Sequence, residues 1–425
     1  MKRCRTIITG LGLLSAAQLA VACEDPMLRT NTDVRVRQQR YHDVNATEGG
    51  KRALPHADER RGAAALRAAK EACFLYPNLR SQDEIPCLAP LIRAYNALPK
   101  TKRRVSTVCD GKRVDISVQI VGTGTHKTVW ICLPGVMADA AEFRFLVGAL
   151  ANDYDFWLID PPGCGDSEAP DPKTLGRGGY GPAAIAEREL QAIDVCLREC
   201  QRPVRALIVA HSLGGLVALR AFADPDLRAR YGQVLGQVEG LVLLAPCDVF
   251  LSQANPVLAS RAELSGLKVN LGHSLGMVRE AVAQYLAGSF YASHCLSREE
   301  VDHAVAVITN PGTRNAFKAM LREALPFDGK TRQPDFPQMM LQETWYTNVD
   351  VPCQIIWGKC DQTLSVAMGN MLERQLPNAR LTVIPDCKHA PNLECPNECA
   401  RLIHEADRQM AARTFAPQSL AATLP

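Results

Sequence analysis

The sequence predicts an α/β fold, a doubly wound and mostly parallel sheet with helices on both faces. Three observations carry that prediction. Short apolar runs suited to strands recur at 129–133, 156–159, 207–209, 241–244, 354–357 and 381–384. Between the runs at 156–159 and 207–209, Ala186, Leu190, Ile193 and Leu197 repeat at helical spacing. Strands that alternate with helices need crossovers, and crossovers make the sheet parallel. Finally, 425 residues with 47% apolar and 22% charged side chains suffice to bury one large core plus an accessory unit. A net charge of +3 is too small to suggest a nucleic-acid partner. The basic clusters at 35–40 and 100–104 lie outside the expected core and read as solvated linker faces. No internal repeat of fixed period is present.

In chain order, the first element is an export signal over 1–22. Lys2, Arg3 and Arg5 precede an apolar run, and Ala20-Val21-Ala22 supplies a small-residue cleavage site. Thr9, Ser15 and Gln18 interrupt the run, which is too short for a transmembrane helix. Leu19-Ala20-Val21-Ala22-Cys23 resembles a bacterial lipoprotein signal, which implies lipidation of Cys23 and membrane anchoring. Residues 23–54 are polar and lack apolar periodicity, as expected of a flexible spacer. If secretion is eukaryotic, Asn45-Ala46-Thr47 is a glycosylation acceptor. An N-terminal helical extension is expected over 55–104. Val114, Ile116, Val118 and Ile120 alternate and open the sheet.

The run at 207–209 ends in His211-Ser212-Leu213-Gly214-Gly215, followed by a helical pattern. A serine on so sharp a strand-to-helix turn is pushed out of the sheet with its hydroxyl exposed. The usual pattern is Gly-x-Ser-x-Gly, and here Ala210 takes the place of the first glycine. The stretch 248–348 then breaks the alternation: it shows helical segments at 277–286 and 297–308 and no strand pairs.

Four further stretches resemble the α/β-hydrolase family. Asp160-Pro161-Pro162-Gly163-Cys164-Gly165-Asp166-Ser167 is similar to that family's strand-ending turn, and Leu133-Pro134-Gly135-Val136-Met137 to its third strand and oxyanion loop. Trp357-Gly358-Lys359-Cys360-Asp361 resembles the turn bearing its acid. Asp386-Cys387-Lys388-His389-Ala390-Pro391 resembles the loop bearing its histidine. Ser212, Asp361 and His389 fall in the order this fold requires. The resemblance covers roughly residues 105–410. It implies a hydrolase core in two parts, 105–247 and 349–412, a helical cap over 248–348 inserted after strand 6, and a tail at 413–425.

By the same resemblance, Ser212 is the nucleophile, His389 its base and Asp361 the residue that orients the imidazole. The backbone N–H of Leu213, with that of Val136 or else Met137, would form the oxyanion hole. Asp248, just after the run at 241–244, is a rival for the acid. His211 reads as a packing and loop-shaping residue. His273, His294 and His303 have no partners at metal-ligand spacing, so no metal is expected. No phosphate-cradling glycine pattern is present and no cofactor is implied.

A serine nucleophile implies acyl transfer: hydrolysis of an ester, or of a thioester or lactone. The cap's apolar, Met-rich content (Met277, Met320, Met339, Met340) points to a small apolar acyl substrate. Two other classes remain: an acyltransferase using the same acyl-enzyme, and an inactive hydrolase-fold binding lipoprotein. Sixteen cysteines suit an oxidising compartment. Cys132 and Cys353 sit in strand-like runs as buried thiols. Cys360 with Cys387 is the disulfide the two catalytic loops suggest, with Cys73–Cys87 and Cys395–Cys399 as further pairs.

Overall fold

The computed structural model describes residues 75–248, 266–289, 295–326 and 335–415. The chain divides into a unit Met1–Asn78 and a unit Leu79–Pro425, and the second holds the fold. The export signal, Cys23, Asn45, Cys73 and His294 lie outside the described residues.

Eight strands form one sheet in the order β1-β2-β4-β3-β5-β6-β7-β8. They are β1 (Lys100–Cys109), β2 (Lys112–Val121), β3 (Thr128–Leu133), β4 (Asp155–Ile159), β5 (Arg205–His211), β6 (Val238–Leu244), β7 (Cys353–Gly358) and β8 (Ala379–Ile384). β2 pairs antiparallel with both β1 and β4, and every other pairing is parallel. The central strands are buried on both faces, which is why they read as unbroken apolar runs.

The sheet opens one strand earlier than the sequence suggested. Residues 100–104, expected to close a helical extension and to form a linker face, belong to β1. A helix does precede them: α1 spans Ala89–Ala97. Val105, Thr107 and Cys109 of β1 turn inward while Arg104, Ser106 and Val108 face out. Asp110 and Gly111, with φ of 48° and 71°, make the two-residue turn that suits a twisted hairpin. β1 is the sheet edge, and its Lys and Arg side chains discourage pairing with another chain.

Helices α2 (Arg144–Leu150), α3 (Pro182–Glu199), α4 (Leu213–Ala223) and α5 (Pro225–Leu235) follow in the first part of the chain. Ile131, Ile208 and Leu243 share a core with Leu190 and Ile193 of α3 and Leu216 and Leu219 of α4. Between β6 and β7 the described residues form α6 (Gly266–Ser274), α7 (Val278–Ser289), α8 (Arg298–Thr309), α9 (Pro311–Glu323) and α10 (Phe336–Thr344). α11 (Val366–Gln375) and α12 (Pro396–Ala411) complete the fold. On α12, His404 stacks near Tyr154, which meets the edge of Trp130 from β3.

Candidate active site

Ser212 stands between β5 and α4 with φ 49° and ψ −115°, a conformation rarely adopted by a side chain other than glycine. The sheet holds it there. Its N–H donates to Leu244 O at 3.0 Å, and its carbonyl accepts from Cys247 N at 2.8 Å. Gly214 is required by close approach, since a Cβ there would lie 2.3 Å from the carbonyl oxygen of Leu133. Ala210, where the usual pattern has glycine, is fully buried and accommodated.

The structure brings Ser212, His389 and Asp361 together. His389 Nε2 lies 3.0 Å from Ser212 Oγ, and His389 Nδ1 lies 2.8 Å from Asp361 Oδ2. The imidazole and the carboxylate are both buried. The other carboxylate oxygen of Asp361 accepts from Thr363 N at 2.8 Å and Leu364 N at 2.9 Å, which fixes its orientation. Such a chain can move a proton from the hydroxyl to the imidazole while the carboxylate stabilises the imidazolium. Asp248, the rival acid, is buried elsewhere and accepts from Tyr346 Oη at 2.6 Å.

The acid loop reaches the histidine loop because Gly358 has no side chain; a Cβ there would sit 2.0 Å from Lys388 O. Within the histidine loop, the buried Glu394 carboxylate accepts from Lys388 N at 3.1 Å and from Ala390 N at 3.0 Å. His389 is thus braced on both sides by one carboxylate.

Leu213, expected to help form an oxyanion hole, is the first residue of α4, where a backbone N–H has no partner within the helix. Val136 follows Gly135, and a Cβ on Gly135 would lie 3.3 Å from Ser212 Cβ, so this loop closes on the serine. Met137 has a positive φ of 69°. Asp160, from the turn after β4, accepts from Ala140 N at 2.7 Å and Asp166 N at 3.0 Å, and burial raises its pKa to about 6.

Glu142 joins these parts. One of its carboxylate oxygens accepts from Gly135 N at 2.9 Å, and the other lies 2.6 Å from His211 Nδ1. The second nitrogen of His211 is 2.9 Å from the carbonyl oxygen of His389. Burial opposes charge on both groups, but their mutual attraction outweighs it, so His211 is held above the ordinary histidine value and Glu142 below the ordinary carboxylate value. Sequence reasoning missed Glu142 and Glu394. The signals were one carboxylate in the apolar stretch 140–150, and one a few residues beyond the histidine.

One expectation differs from the structure. Cys360 and Cys387 are both free thiols. They meet through backbone, Cys360 N donating to Cys387 O at 2.9 Å. The exposed Cys360 sulfur turns to Pro385 O at 3.4 Å instead. Cys395 and Cys399 are also unbridged, as is Cys87. His303 Nε2 lies 3.3 Å from Met137 O and its Nδ1 3.8 Å from Asp139. That contact sets α8 against the loop that follows β3, and the Arg144–Glu300 ion pair joins α8 to the start of α2. Cys132 and Cys353 are buried thiols.

Comparison with known proteins agrees with this architecture. Residues 121–402 match the alpha/beta hydrolase family. The hydrolase YugF of Bacillus subtilis is 22% identical over 276 residues, which is 65% of this chain and 86% of that protein. A pimeloyl-[acyl-carrier protein] methyl ester esterase of Chromobacterium violaceum is 26% identical over 302 residues, 69% of this chain and 98% of that protein. Among solved structures, the esterase RhEst1 from Rhodococcus sp. ECU1013 superposes with a TM-score of 0.51 at 17% identity, covering 73% of this chain and 99% of its own. The 2-hydroxy-6-oxo-6-phenylhexa-2,4-dienoate hydrolase from Rhodococcus sp. strain RHA1 gives 0.54 at 16% identity, covering 73% of this chain and 100% of its own. These two likenesses bear on the fold.

Proposed function

This chain belongs to the alpha/beta hydrolase family, a hydrolase by that membership, and we propose that it cleaves carboxylic esters through Ser212, His389 and Asp361. The observation that carries the proposal is the continuous chain from Ser212 Oγ through the imidazole to Asp361, with the serine on a strained elbow. Esterases among the relatives support the ester as the bond attacked.

In this mechanism Ser212 Oγ attacks the ester carbonyl as His389 Nε2 takes its proton. Asp361 keeps the imidazole in the reactive tautomer. The N–H groups of Leu213 and Val136 receive the charge that develops on the carbonyl oxygen. The intermediate collapses, His389 protonates the departing alcohol, and water then repeats the cycle on the acyl-enzyme. The helices between β6 and β7 act as a cap that shapes the pocket for a small-molecule substrate with an apolar acyl group and excludes bulk water. The enzyme is exported by residues 1–22, with Cys23 the site of lipid anchoring; the intact mass of the mature protein tests this.

The experiment is hydrolysis of p-nitrophenyl esters of graded acyl length by the full chain, with and without an added alcohol. Turnover to free acid, fastest for one range of acyl length, is the expected result. Transfer of the acyl group mainly to the alcohol would reassign the enzyme as an acyltransferase. A folded protein with no turnover on any ester would overturn the ester reading.

A further inference from the structure

We propose that Lys388 is a positioning residue, whose ammonium seats the histidine loop on the C-terminal end of α7 and so lets the cap hold His389 in place. This deepens the proposed reaction and rests on its reading of His389 as the base.

Lys388 immediately precedes His389, and each of its polar groups meets a different element. Its N–H donates to the Glu394 carboxylate at 3.1 Å. Its carbonyl oxygen faces Gly358, where a Cβ would sit 2.0 Å away. Its Nζ donates to Ala287 O at 2.7 Å and lies 3.5 Å from Gly288 O. Those two carbonyls belong to the last turn of α7. The last carbonyls of a helix lack donors within it and carry the negative end of its dipole, so an ammonium suits them. The first two contacts fix the histidine loop from the core. The third fixes it from the cap.

A second cap contact lies at the other end of the loop. The thiol of Cys295, just before α8, donates to Glu394 O at 3.3 Å. The cap thus meets both ends of 388–394, the stretch that carries His389. A brace needs a fixed support, and α8 supplies one. Its Glu300 pairs with Arg144, both largely buried, and His303 Nε2 lies 3.3 Å from Met137 O. Ahead of α8's first turn, Arg298 N donates to Arg80 O at 3.0 Å, and Ser81 Oγ donates to Glu299 at 2.7 Å. Arg279 of α7 then pairs with Asp302 of α8 at 2.9 Å, which ties the two helices together.

A lysine that merely capped α7 would affect stability alone. Lys388 differs because one peptide joins it to His389, so movement of its backbone turns the imidazole. That ring must keep Nε2 3.0 Å from Ser212 Oγ and Nδ1 2.8 Å from Asp361. A misplacement of about 1 Å in such geometry costs roughly 100-fold in rate. Glu394 still holds the loop when the ammonium is gone, so the loss expected here is smaller.

The test compares the full chain with Lys388→Met, Lys388→Arg and Arg279→Met. Lys388→Met should lower kcat for a p-nitrophenyl ester about 10-fold with KM changed less than about twofold, and slow fluorophosphonate labelling by the same factor. Lys388→Arg should restore most of the rate. Arg279→Met, which loosens the cap without touching the loop, should leave kcat near that of wild type. A lowered melting temperature in Lys388→Met with unchanged kcat would overturn the proposal, as would an equal kcat loss in Arg279→Met. A spectroscopic readout is independent of turnover: the downfield Nδ1–H resonance of His389, assigned by its loss in His389→Ala. It should exchange with water faster in Lys388→Met and as slowly as wild type in Lys388→Arg. If no ester is cleaved and Ser212 is not labelled, the reaction reading falls, and this resonance decides alone: altered exchange supports the brace and unchanged exchange overturns it. Should Lys388→Met not fold, Lys388→Gln carries the same comparison.

Discussion

The two sides of the candidate active site are held by different means. Ser212 sits on an elbow fixed by backbone: parallel strands, a bond to Leu244 O, a bond from Cys247 N and the bare Cα of Gly214. His389 sits on a loop fixed by side chains, above all the Glu394 carboxylate that takes the N–H groups on both flanks. A strained elbow held by backbone bonds keeps those restraints when neighbouring side chains change, Gly214 excepted. A loop organised by one buried carboxylate can be loosened by a single change. The Glu142–His211 pair then couples the two sides, because it touches the oxyanion loop and the carbonyl of His389 together.

Ser212→Ala should give the largest effect, lowering kcat by about 10⁴-fold or more in steady-state ester hydrolysis while leaving the fold intact. Asp361→Asn should follow at about 10⁴-fold, because the imidazole then takes the wrong tautomer. Asp248→Asn should cost stability and leave kcat nearly unchanged; a kcat loss equal to that of Asp361→Asn would mean the acid has been misassigned. Next comes Glu394→Gln, which sharpens the comparison most. A misplaced histidine should lower kcat roughly 10–100-fold with little change in KM. If instead KM alone rises, the loop is not what Glu394 holds.

Glu142→Gln should lower both activity and stability, since removing one partner of a buried charged pair costs roughly 3–5 kcal/mol. The pair also sets a pH dependence. Because His211 is raised when folded, its contribution is full below the ordinary histidine range and is lost as pH rises through its folded value. Glu142 is lowered when folded, so its contribution is full above the ordinary carboxylate range and lost as pH falls through its folded value. Melting temperature against pH should thus decline on both sides of a plateau, and in His211→Asn the alkaline decline should be shallower. The smallest effect belongs to the elbow: Ala210→Gly should cost about 1 kcal/mol of stability with little change in kcat, because backbone holds the serine.

This contrast also explains what the sequence revealed. The elbow was legible because its restraints are local: Ser212, Gly214 and a strand-like run lie side by side. The parallel strands were legible because burial on both faces leaves continuous apolar runs. β1 was not, since its outward positions carry Lys and Arg and its apolar residues begin only at Val105, although Asp110-Gly111 marked the hairpin. The roles of Glu142 and Glu394 were hidden for another reason. A carboxylate that accepts backbone N–H groups looks, in sequence, like any exposed carboxylate. The cysteine pairing failed similarly: proximity of Cys360 and Cys387 to the triad was visible, but the direction of each thiol was not.

The most direct test of the account is reaction of the purified protein with a fluorophosphonate, followed by peptide mass analysis of wild type, Ser212→Ala and His389→Ala. The account predicts one adduct, on Ser212, formed rapidly in wild type and absent or greatly slowed in both variants. An adduct on another residue, or labelling of His389→Ala at the wild-type rate, would contradict it.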